Sequence, residues 1–181
     1  MLAHRSRAKL GATVVVLVTC LHANANAAPP DKACSLLTVA EITAQVGTPG
    51  EARETEVPAG QRSASGQPTK MCTWPVGGGS VRVSLANAGN PETARQSFRS
   101  MMKSTLDRLK ATGWQTDEKP FGDDAGCWSA TPPASEAGAF RMTGCAGMSS
   151  GMGISVGISG PTAVDMSKVK KLLDAAMGRV H

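Results

Sequence analysis

Four cysteines, Cys34, Cys72, Cys127 and Cys145, limit most strongly what this chain can fold into, once the segment ahead of them is set aside. Met1 to Lys9 carries Arg5, Arg7 and Lys9, Leu10 to Leu21 is apolar and uncharged, and Ala25-Asn26-Ala27 supplies small residues at a cleavage spacing. That succession reads as a secretory signal peptide over 1–27, with the mature chain at 28–181. The apolar run is shorter than the roughly 20 residues that cross a bilayer. Cleavage there would remove Cys20 and turn an odd cysteine count into an even one. Four cysteines in an exported domain form two disulfides in one of three connectivities. Cys34–Cys72 and Cys127–Cys145 are the expected pairs, the first tying an N-terminal helix to the sheet and the second joining neighbouring strands. Leu17-Val18-Thr19-Cys20 also approaches a lipoprotein signal, with Thr19 where Gly, Ala or Ser is usual, so membrane contact is expected only if Cys20 is lipidated.

The same cut changes the charge argument. Removing Arg5, Arg7 and Lys9 lowers the formal net charge from +5 by three, so the basicity of the chain belongs largely to its leader and supports no nucleic-acid partner. His4 and His22 leave too, and His181 is the last residue. Without an internal His, no Ser-His-Asp triad, Cys-His pair or His-ligated metal can be assembled except around His181. Ser100-Met101-Met102-Lys103 has the S-x-x-K spacing, but it falls mid-helix and lacks its companion motifs. Asp123 and Asp124 read as a turn between strands, and Glu51, Glu54 and Glu56 as a solvated edge. Met142, Met148 and Met152 near Cys145 read as filler in an aromatic-poor core rather than copper ligands. No metal and no cofactor are expected.

Periodicity divides the rest into elements. Thr38-Val39-Ala40-Glu41 is a capping box opening a helix over 39–46, with Gly47 as its stop. Residues 48–69 read as a long loop with a weak edge strand around 53–57. Strand runs at 70–75 and 81–86 bracket Gly77-Gly78-Gly79, as a hairpin requires. Asn90 and Pro91 then open the longest helix, over 91–111, which stops at Gly113. Four strand candidates follow at 114–119, 126–130, 139–146 and 152–159, and a closing helix at 165–179. The order predicts a single α+β domain, an antiparallel sheet of five to six strands with helices packed on one face. On the long helix Arg95, Arg99, Lys103 and Lys110 fall within roughly 80° of arc at 100° per residue, a cationic ridge suited to an anionic partner.

Cys34-Ser35-Leu36-Leu37-Thr38 opening a short helix, Cys72-Thr73-Trp74 on a strand, the Gly122-Asp123-Asp124-Ala125 turn and a closing helix ending at Ala175 to Val180 together resemble a family. It is that of the disulfide-containing cell-envelope lipoproteins of unknown function found in actinobacteria. The resemblance implies an exported α+β domain and carries over no catalytic residue. The expected function is therefore a non-catalytic exported domain, periplasmic or cell-surface. It would bind an envelope component or a protein through its sheet face or the cationic ridge. The competing readings are a carboxylate-based glycan hydrolase using Asp123 or Asp124 with Glu136, and a secreted inhibitor that inserts the 48–69 loop into its target.

Overall fold

The computed structural model describes residues 31–58, 68–87, 89–122, 125–136, 138 and 140–180. The expected leader and its Cys20 therefore lie outside the described residues, as do Asp123, Asp124 and His181. A 3-10 turn at Ala33–Leu36 leads into helix α1, Val39–Val46, whose Thr38 and Glu41 form the expected capping box. Strands β1 (Arg53–Val57), β2 (Thr69–Val76) and β3 (Gly79–Asn87) follow, then helix α2 (Pro91–Ala111). Strands β4 (Gln115–Pro120), β5 (Ala125–Thr131), β6 (Arg141–Ser149) and β7 (Met152–Gly160) precede the closing helix α3, Met166–Met177. All pair antiparallel in one seven-stranded sheet, ordered β1-β2-β3-β7-β6-β5-β4.

Seven strands correct the expected five to six. The difference comes from β1, whose five residues are almost all exposed and show no alternation. Propensity alone does not make it a strand; the unpaired edge of β2 does, by pairing Arg53 with Thr73 through Val57 with Thr69. Elsewhere local chemistry shows through. Gly77 and Gly78 form the two-residue β2–β3 turn with φ of +49° and +81°, the left-handed pair that a twisted hairpin demands. Helix α2 ends where the Trp114 and Gly113 N–H groups donate back to the Leu109 and Lys110 carbonyls, a Schellman closure with Gly113 at φ +86°.

Strand residues alternate between two faces. The first carries Cys72 and Trp74 of β2, Val81, Val83 and Leu85 of β3, and Ile154, Val156 and Ile158 of β7, all buried in one cluster. Against it pack Leu36, Leu37, Ile42 of α1, and Val169, Leu172, Leu173 and Ala176 of α3. Both expected disulfides form. Cys34–Cys72 pins the N-terminal turn to β2, and Cys127–Cys145 links residues directly opposite on β5 and β6.

Because α3 occupies the first face over β5, β6 and β7, the connection from β3 to β4 has to use the second. These strands are four places apart, about 19 Å, and a strand adds about 25–30 Å along its length. A helix of 21 residues is about 31 Å long, close to that diagonal. Ala130 and Ala146 point to the second face yet are buried, as is Leu106 of α2, and none of the three joins the main cluster. Helix α2 packs against β4 and reaches the second face there through Lys110 and Glu118. The expectation of helices on one face holds for α1 and α3 and fails for α2.

Candidate functional site

The cationic ridge is on α2 as expected, but its charges are not waiting for a partner. Arg95 meets Glu92 at 3.5 Å, Lys103 meets Asp107 at 2.6 Å, and Lys110 reaches Glu118 on β4 at 3.1 Å. Arg99 is engaged as well. The Lys103 ammonium is held above its ordinary value, and the Asp107 carboxyl below its own, by the hydrogen bond between them. The Lys110–Glu118 contact also places the ridge on the β4 side of the helix.

A different arrangement of cations occupies the other end of the sheet. On the second face one cross-strand row runs Arg53, Thr73, Arg82, Gly157, Gly144, Trp128 and, at the far edge, Glu118. Arg53 and Arg82 are exposed, and neither makes an ion pair or a side-chain hydrogen bond among the described residues. The second-face positions of β1, β2, β3, β7 and β6 contain no carboxylate. They are rich in hydroxyls instead: Thr55, Thr73, Ser80, Ser84, Ser155 and Ser159. Ser80 bonds Ser159 at 3.0 Å, and Ser84 bonds Ser155, so hydroxyls cross-link β3 to β7 on this face. The floor is low. A Cβ added at Gly157 would meet nothing within 4 Å, whereas one at Gly144 would come within 2.8 Å of the Trp128 ring. The indole therefore lies down on the Gly144 backbone, and the glycine there makes that close approach possible.

Two of the depressions in the described surface have charged rims. One, of about 330 Å³, is bordered by Asp31, Lys32, Glu54, Thr55, Glu56 and Lys70. Two of its polar side chains are spent on the fold: Glu54 accepts the Ala33 and Cys34 N–H groups at 3.2 and 3.4 Å, and Lys70 donates to the Asp31 carbonyl. The other, of about 300 Å³, opens at the start of α3 between Asp117, Ser129, Arg141, Thr143 and the 161–166 segment. Thr143, the buried polar residue of the described core, donates its hydroxyl to the Val164 carbonyl at 2.8 Å. Asp165 caps α3 through the Ser167 N–H at 2.7 Å, and the Ser167 side chain together with that N–H holds its carboxyl below the usual range.

The cysteines of the sequence reading are brought together in pairs, and the ridge residues lie along one helix. Glu136 closes a short 3-10 turn, and the two aspartates once paired with it lie outside the described residues, as do 59–67 of the loop. The Arg53–Arg82 row was missed because the two residues are 29 apart in the chain and meet only through the β1–β2–β3 register. Its sequence trace is faint: Arg82 stands at a polar position of an alternating strand. Among the described residues, no helix is long and apolar enough to cross a membrane, and no three metal-ligating side chains cluster.

Two comparisons with known proteins leave the geometry as the guide. No family model matches this chain, and no curated protein matches it.

Proposed function

We propose that this chain is a non-catalytic binding domain of the cell envelope, exported by its leader, that engages an anionic envelope polymer through the second sheet face. The observation that carries this is the row Arg53–Thr73–Arg82, two arginines without ion-pair partners among the described residues, on a stretch of that face over β1, β2, β3, β7 and β6 that holds hydroxyls and no carboxylate. Guanidinium groups present several donors in a fixed fork and suit phosphate or carboxylate groups along a polymer. The sheet holds them at a set spacing, two strand places or about 10 Å apart. The two disulfides are consistent with an oxidising, extracytoplasmic compartment. Attachment through Cys20, and kinship with the envelope lipoproteins, are parts of the same proposal.

The test is binding of the full mature chain to a phosphate-bearing wall polymer and to a neutral glycan, at low and at high salt. The expected result is salt-sensitive binding of the anionic polymer alone, weakened about tenfold or more by Arg53→Gln with Arg82→Gln. Lys103→Gln with Lys110→Gln should leave it nearly unchanged. Binding that survives loss of both arginines, or turnover of the polymer by pure protein, would overturn the reading.

A further inference from the structure

Three charged side chains border the cleft at the start of α3, and no two of them touch. Arg141 commits Nη1 to the Pro161 carbonyl at 2.7 Å and meets no carboxylate. Asp117 accepts the neighbouring Glu118 N–H at 2.9 Å and meets no cation. Asp165 is occupied as the cap of α3 and also lacks an ion-pair partner. Opposite charges that share an opening would ordinarily pair. Here the frame keeps them apart: Asp117, Ser129 and Thr143 form one cross-strand row on β4, β5 and β6, which separates Asp117 from β6 by about 10 Å.

The wall opposite is rigid for an equally specific reason. Arg141 and Thr143, alternate residues of β6, hold the carbonyls of Pro161 and Val164 at 2.7 and 2.8 Å, so the segment leading into α3 is stitched to the sheet at both ends. Next to Asp117 in that row stands the Ser129 hydroxyl, which has no partner among the described residues. Ala163, Val164 and Met166 give the cleft an apolar side.

We infer that this cleft binds a free α-amino acid with a short aliphatic side chain, its ammonium on Asp117 and its carboxylate on Arg141. A zwitterion satisfies both unpaired charges at once, while a simple cation would face Arg141 and a simple anion would face two aspartates. The volume, about 300 Å³, is at the lower limit for small-molecule sites and suits a single amino acid. Ser129 adds a hydrogen bond to either end, and the Val164–Met166 wall receives the side chain.

The experiment is a two-dimensional amide NMR titration of the full mature chain with L-valine, using N-acetyl-L-valine and L-valinamide as ligands that carry one charge each. L-valine should produce saturable shifts at Ser129, Thr131 and Ala163, with both controls at least about tenfold weaker. Asp117→Asn and Arg141→Gln should each weaken L-valine by about tenfold. Asp117 is exposed on the edge strand β4, so its variant keeps a folded spectrum even if loss of the Pro161 contact loosens the Arg141 variant. No saturable shift with L-valine, an equal response to either control, or an Asp117→Asn chain that binds like the parent would overturn the assignment. The Arg53→Gln, Arg82→Gln chain should bind L-valine normally, which separates this site from the polymer-binding face.

Discussion

Glu41 does more than the capping box asks of it. One carboxylate oxygen accepts both the Thr38 N–H and the Thr38 hydroxyl at 2.8 Å, and the other accepts Arg179 Nη2 at 2.7 Å. Arg179 in turn donates to the carbonyls of Leu36 and Ala175, both at 3.0 Å, so one ion pair joins the N-terminal turn, α1 and the end of α3. Partial burial works to raise the Glu41 pKa, but the hydrogen bonds from Arg179 and Thr38 outweigh it and hold the carboxyl below its ordinary value. A carboxyl depressed in the folded state stabilises above its unfolded pKa, and that contribution disappears as the pH falls through the folded value. Glu41→Gln should therefore cost about 1–2 kcal/mol near neutrality. The gap to the parent should close in acid, which urea midpoints measured across the acid range will show. The capping box was legible in Thr38 and Glu41; the Arg179 partner, 138 residues away, was not.

Between elements, the two disulfides differ in what they close. Cys34–Cys72 spans 38 residues and Cys127–Cys145 spans 18, and loop-closure entropy of the unfolded chain assigns them about 4 and about 3 kcal/mol. Replacing Cys34 and Cys72 by Ala should lower the melting temperature more than replacing Cys127 and Cys145, because β5 and β6 remain paired along six positions without their bridge. The 3-10 turn has fewer ties to the sheet, with Glu54 supplying two N–H contacts beside the disulfide. Calorimetry of the two double variants checks the order. Helix α2 is the instructive contrast. Its ends were legible from Asn90, Pro91 and Gly113, and Asn90 does accept the Glu92 N–H at 2.9 Å. Its charges read as a ridge because a helical wheel shows spacing and not neighbours: Glu118, which takes Lys110, belongs to another element.

For the molecule as a whole, the sheet order places β3 and β7 at the centre although they are separated in the chain by α2 and three strands. Both carry buried, alternating aliphatic residues, while the edges β1 and β4 are exposed and charged, with Pro120 closing β4. Charged edges of this kind resist pairing with further strands. Amide exchange should accordingly be slowest in 81–85 and 154–158 and fastest in 53–57 and 115–119, read by hydrogen–deuterium exchange. Equal protection of β1 and β3 would contradict the hierarchy.

Helix boundaries, the glycine hairpin and the alternating strands were all written locally, since caps, left-handed turns and period-two burial depend on residues close in the chain. The strand order, the status of 53–57 as a strand and the side on which α2 lies depend on which edges and faces remain unsatisfied after the core has closed. Both candidate binding surfaces belong to that second category. Arg53 with Arg82, and Asp117 with Arg141, become neighbours only through strand register, and register follows from the burial of a whole face rather than from any one residue.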